Sequence, residues 1–151
     1  MTFAKILVPL DGSRVAEAAL PKAEELVRGH PEATLLLLRA VEAKVFPGVD
    51  PIDAQVSVVH EAEDSLESVA ERLRASRVPT VRTSVWYGEA AAILDTARRR
   101  KPDLIVMSTH GQRGMTRLIA GSVAESVLRQ AHVPVLMMRL APHQLLASDV
   151  A

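Results

Sequence analysis

Asp103-Leu-Ile-Val-Met-Ser-Thr-His-Gly-Gln-Arg-Gly-Met-Thr-Arg-Leu-Ile-Ala-Gly-Ser-Val-Ala-Glu125 is the stretch that decides the fold. Leu104 to Met107 is apolar on both faces and short enough to be a buried strand. It stops at small residues, and glycines follow at Gly111, Gly114 and Gly121. Gly121-Ser122 then opens a helical pattern that carries Glu125 in its first turn. A strand that ends in a glycine-rich loop and restarts as a helix can hold phosphate. Glycine lets the backbone approach an anion, and the first free N–H groups of the helix point at it.

Working outward, the same alternation recurs. Ile6-Leu-Val-Pro-Leu10 is a buried strand broken by Asp11-Gly12-Ser13. Val15, Ala19, Leu20, Ala23, Leu26 and Val27 predict a helix from Ser13 to about Arg28. Ser13 is its N-cap, Gly29 its stop, and Pro21 bends it. Thr34 to Val41 is the second strand, and residues 42–53, with two prolines and a glycine, read as a loop. An amphipathic pattern with an acidic outer face predicts a long helix over Ala54 to Ala75. Val81 to Trp86 alternates as a strand. Gly88 starts a third helix that closes on Arg98-Arg-Arg-Lys101-Pro102. Ser122 to Ala131 reads as the fourth helix and Val133 to Met138 as the fifth strand; the tail after Pro142 is expected to be loosely held.

The order β-α-β-α-β-α-β-α-β implies an α/β fold, a parallel sheet with helices on both faces. Residues 1–151 read as one domain, with a core over about 3–140 and a tail over 141–151. In such sheets ligands bind beyond the carboxyl ends of the strands, where strand order reverses. The Asp11-Gly12-Ser13 turn and the glycine loop both lie at that edge. They face each other if strands one and four are neighbours.

Composition narrows the function classes. Eighteen basic residues balance eighteen acidic ones, so no global field draws the chain to nucleic acid or an anionic membrane. Phe, Trp and Tyr make up 3% of the chain, a poor stacking platform for single strands. There is no cysteine, which excludes disulfides, thiolate metal sites and cysteine nucleophiles. No apolar run approaches the roughly 20 residues of a membrane span. The start shows no signal-peptide pattern, so a cytoplasmic location is expected.

The glycine loop lacks the lysine of a P-loop and does not fit G-x-G-x-x-G. Ser122 and Glu125 also make a capping box, a role compatible with anion binding through the remaining N–H groups. Asp11 either closes an Asx turn with Gly12 or accepts a hydrogen bond from a ligand, or holds a metal near phosphate. His110 and Ser108 lack the acid and oxyanion hole of a hydrolase, and no G-x-S-x-G elbow is present. His30, His60, His132 and His143 show no metal-ligand spacing, and His60 reads as a surface residue. The run Arg98 to Lys101 suits a helix C-terminus. Arg113 and Arg117 border the proposed phosphate site.

From Lys5 to Arg139 the chain resembles the universal stress proteins. The resemblance rests on Ile6-Leu-Val-Pro-Leu-Asp11-Gly-Ser13, Gly88, Asp103-Leu-Ile-Val-Met107, His110-Gly111, Gly121-Ser-Val-Ala-Glu125 and Val133-Pro-Val-Leu136. ATP-binding members carry G-x-x-G, nine residues, then G-[ST]; Gly111 and Gly121-Ser122 fit, and Ser108 replaces the first glycine. The resemblance implies an adenine-nucleotide alpha-hydrolase-like, Rossmann-like sheet of five strands in the order 3-2-1-4-5. It implies ATP or AMP, with or without Mg, held between strands one and four. Pro9, Asp11 and Val41 would border adenine and ribose, and Met107 and Ser108 the ribose. Gly111, Gly121, Ser122 and Val123 would meet the phosphates. The function implied is a stress-response binding module without catalytic residues, a homodimer paired through its last strand. A nucleotide-free dimeric interaction protein of the same fold and a weak ATP hydrolase remain the alternatives.

Overall fold

The apolar runs become strands because water reaches neither of their faces. The computed structural model describes residues 3–42, 47–109 and 123–139. In it β1 spans Lys5–Leu10, β2 Thr34–Val41, β3 Thr80–Tyr87, β4 Leu104–Thr109 and β5 Val135–Arg139. They form one parallel sheet in the order β3-β2-β1-β4-β5. The described helices are α1 Arg14–Glu17, α2 Leu20–Val27, α3 Pro51–Ala75, α4 Ala90–Arg100 and α5 Val123–Gln130.

Successive strand residues point to opposite faces, and the sheet builds one core layer on each. Ile6, Val8, Leu10, Leu35, Leu37 and Val106 pack with Leu20, Ala23 and Val27 of α2 and Leu66, Val69 and Leu73 of α3. Leu7, Leu38, Ile105 and Met107 pack with Ile93 and Ala97 of α4 and Val127 of α5. The sheet is therefore covered on both sides, as the unbroken apolar runs require. Asp103 sets how β1 meets β4. Its Oδ2 accepts the backbone N–H groups of Ala4 and Lys5, each at 2.9 Å, and its own N–H donates to the Lys5 carbonyl at 2.8 Å.

Two prolines shift the expected boundaries. The helix expected from Ser13 to Arg28 is two helices, parted at Ala18 and Ala19. Pro21 lacks an N–H, so it sits in the first turn of α2, where that donor has no intrahelical partner in any case. The loop expected over 42–53 ends earlier: α3 starts at Pro51, with Asp50 as N-cap accepting from Ile52 N–H at 2.8 Å. Pro51 is there a helix initiator. β4 runs two residues past Met107, so Ser108 belongs to the strand. β5 is shifted to Val135–Arg139, because Pro134 cannot donate to the ladder and serves as its entry, accepting from Ile105 N–H at 2.9 Å.

α3 ends in a Schellman cap. Val78 N–H reaches the Leu73 carbonyl at 3.1 Å, and the residue between helix and strand, Arg77, takes φ +68°. That left-handed position favours glycine. Arg77→Gly is expected to stabilise the protein by about 0.5–1 kcal/mol, the Cβ penalty relieved less the added freedom of the unfolded chain. Urea unfolding of the two proteins checks it, and a destabilised variant would show that the Arg77 side chain carries packing of its own.

Candidate functional site

Strand order reverses between β1 and β4, and there the two strands part. The β1–β2 ladder runs from Lys5 opposite Thr34 to Leu10 opposite Arg39. The β1–β4 ladder registers only Ile6 with Leu104 and Leu7 with Ile105, although both strands continue. A sheet that opens along its carboxyl edge makes a crevice at the switch point, where doubly wound folds bind ligands.

The exit of β1 forms one lip. Asp11 is exposed, and its Oδ1 accepts Ser13 N–H at 2.8 Å, an Asx turn around Gly12 at φ +86°. Ser13 Oγ in turn accepts Ala16 N–H at 3.1 Å and caps α1. The local reading of both residues therefore holds, and the turn is rigidly tied to the helix that follows. Pro9 is half-buried two residues before it.

The end of β4 forms the other lip. Met107 is buried against the α4–α5 layer. Ser108 faces the opposite way, and its Oγ is buried with no hydrogen-bond partner among the described residues. A desolvated hydroxyl left unpaired costs on the order of 1–3 kcal/mol. Such a group in a native fold calls for a partner beyond the described residues.

Val41 closes β2 one strand further out. Its carbonyl accepts Gly88 N–H at 3.0 Å, and Gly88 takes φ +93°, which ties the exits of β2 and β3 together. Val41, Glu42, Gln55, Tyr87 and Gly88 line a cavity of about 640 Å³ at this same edge. A second cavity, of about 490 Å³ and lined in part by Arg28, His30 and Arg77, lies at the opposite, amino-terminal edge. The carboxyl edge is the one the topology favours for a ligand.

The structure thus places Pro9 and Asp11 at the carboxyl end of β1 and Met107 and Ser108 at that of its neighbour β4, with Val41 ending β2 and Val123 opening α5. Gly111, Gly121 and Ser122 lie outside the described residues, as do His110, Arg113 and Arg117. Glu125 pairs with Arg129 on α5. In the basic run, Arg98 pairs with Asp95 at 3.1 Å, and Arg99 lies 4.7 Å from the Trp86 ring centroid. His60 is exposed on α3 beside Glu63. Among the described residues no group of three or more His, Asp or Glu side chains is placed to hold a metal. No described helix is long and apolar enough to cross a membrane.

One residue at the crevice escaped the sequence reading. Arg39, opposite Leu10 at the end of β2, lays its guanidinium on the Gly12 turn. A Cβ at Gly12 would stand 2.8 Å from Arg39 Nη1 and 3.0 Å from Cζ and Nη2. The available signal was a charge at a core-facing position of a leucine run.

Comparison with known proteins agrees with this architecture. The model of the family described as the universal stress protein family matches residues 2–139. A universal stress protein of Methanocaldococcus jannaschii is 31% identical over 143 residues, covering 91% of this chain and 82% of that one. The structure of the universal stress protein UspA from Lactobacillus plantarum superposes with a TM-score of 0.76 at 27% identity, covering 92% of this chain and 99% of that one. A family member from Arabidopsis thaliana, crystallised with AMP bound, superposes with a TM-score of 0.70 at 20% identity, covering 93% and 94%.

Proposed function

The chain belongs to the universal stress protein family, and from that premise we propose that it binds an adenine nucleotide, ATP or AMP, in the crevice between β1 and β4. The observation that carries this reading is the parting of β1 and β4 at the point where strand order reverses, with the Asp11 turn on one lip and the end of β4 on the other. The AMP bound to the Arabidopsis relative supports the same ligand class. On the family pattern Pro9, Asp11 and Val41 border base and ribose, with Met107 and Ser108 on the ribose. Gly111, Gly121, Ser122 and Val123 meet the phosphates, with or without Mg.

The role is that of a binding module in stress response. Asp11, the acidic group at the crevice, is engaged in holding its own turn, which supports occupancy over turnover. Nucleotide that binds the folded state alone stabilises it by about 2.7 kcal/mol at a hundredfold excess over Kd. Thermal unfolding with added ATP or AMP should therefore move up by several degrees. An unmoved transition at millimolar nucleotide would overturn the reading.

We also propose a homodimer paired through β5. This edge strand is apolar towards both core layers, through Leu136 and Met138 on one side and Val135 and Met137 on the other, yet all four are only half-buried. Bare apolar edges invite pairing, whereas the opposite edge, β3, carries the exposed charge of Arg82. Light scattering should report a dimer at micromolar concentration, and Met137→Lys should weaken it by at least about tenfold. A stable monomeric parent would rule this out.

A further inference from the structure

We propose that the first turns of α3 and the end of β3 form a docking surface for a partner protein, one that presents an apolar segment flanked by lysine or arginine. Ile52, Val56 and Val59 recur at helical spacing and share one face of α3. Ile52 is 70% exposed and Val56 49%, and Val59 is half-buried. Gln55 lies on the same face and lines the cavity of about 640 Å³ together with Tyr87. Tyr87 closes β3 at the parity of Val81 and Val85, which pack into the α2–α3 layer, so its side chain projects on the α3 side of the sheet. It is 50% exposed. An aliphatic stripe and an aromatic ring thus border one hollow. Exposed apolar groups gathered in this way mark interaction surfaces, whereas scattered ones do not.

The charges around the hollow have one sign. Glu42 lines the same cavity, and Glu89 follows Gly88 in its wall. Asp53 is the neighbour of Val56 on α3, and Glu63 continues the stripe past Val59. All four carboxylates are exposed. Among the described residues Glu42, Asp53 and Glu89 make no ion pair, and Glu63 adjoins His60. The exposed Arg82 has the other parity of β3, with Trp86 and Arg99 on the far side of the sheet. Carboxylates around apolar anchors repel a second copy of the same surface and an anionic membrane, and attract a basic partner. Residues 140–151 contain no lysine or arginine, so the chain's own tail lacks the complementary charge. β3 and β5 are opposite edges of the sheet, which leaves this surface open in a dimer paired through β5.

Fluorescence anisotropy of two labelled amphipathic peptides tests this, one of leucine and lysine and the other of leucine and glutamate in the same order. The lysine peptide should bind the parent saturably and at least about tenfold tighter than the glutamate peptide. That gap should shrink as salt is added. Ile52→Ser combined with Val56→Ser should weaken the lysine peptide by about tenfold or more, and Asp53→Lys by about threefold or more. These side chains are exposed, so melting should change little; Ile52→Ser alone serves if the double variant fails to fold. A parent that binds neither peptide, or both alike, overturns the proposal. Unchanged affinity in the folded Ser variants overturns it as well, because the peptide then sits elsewhere. If the Ser variants instead lower the mass seen by light scattering, a second copy occupies the surface and the partner is overturned. Nucleotide binding enters none of these outcomes, so the docking surface and the crevice stand or fall separately.

Discussion

Replacing Ile105 with alanine is expected to destabilise the protein by about 2–5 kcal/mol, the usual range for a large aliphatic side chain cut back in a core. Ile105 is 0% exposed and lies between Leu7 of β1 and Val135 of β5 in register. Its side chain belongs to the layer that holds Met107 of β4, Ile93 of α4 and Val127 of α5. The backbone is pinned on both sides, so the cavity cannot collapse by moving the strand. Against a total stability of about 5–15 kcal/mol for a domain of this kind, that loss is a large share. Val135→Ala, at the half-buried edge strand, should cost well under half as much. Urea unfolding measures both. A loss below about 1 kcal/mol at Ile105 would mean that the layer under α4 and α5 is loosely packed.

Gly121→Val should reduce nucleotide affinity by at least about tenfold, or 1.4 kcal/mol, with folding retained. The position lies outside the described residues, and the expectation comes from its place two residues before Val123, where α5 begins. There its backbone would sit against the phosphates, and a branched side chain would occupy the space of the anion. Ser108→Gly, which restores the glycine of the family pattern, should leave binding equal or stronger. It removes a buried hydroxyl that no described residue satisfies, at the cost of a more flexible strand end. Titration of both variants with ATP, with melting curves alongside, separates binding from folding. A folded Gly121→Val protein that binds like the parent would place the phosphates elsewhere.

The sheet was legible because its strands are apolar on both faces. Ile6 to Leu10, Thr34 to Val41 and Leu104 to Met107 could not be solvent-facing in any arrangement. The switch-point lips were legible too, because Asp11-Gly12-Ser13 is turn chemistry whose hydrogen bonds are local. Pro21 and Pro51 misled at boundaries, since proline ends one helix and begins another by the same missing N–H. The Asp103 clamp on Ala4 and Lys5 joins residues about a hundred positions apart, and no local pattern announces it. Arg39 was unreadable for a related reason. Its meaning comes from lying on Gly12, a contact between β2 and the exit of β1 that exists only once the strands are paired.

Isothermal titration of the purified protein with ATP and with AMP, each with and without magnesium, tests most directly whether the crevice between β1 and β4 is a nucleotide site. Saturable binding near one nucleotide per chain is expected, with a dissociation constant in the micromolar range or tighter, about −8 kcal/mol or more favourable. Absence of heat, together with no nucleotide retained in equilibrium dialysis at high protein concentration, would contradict it.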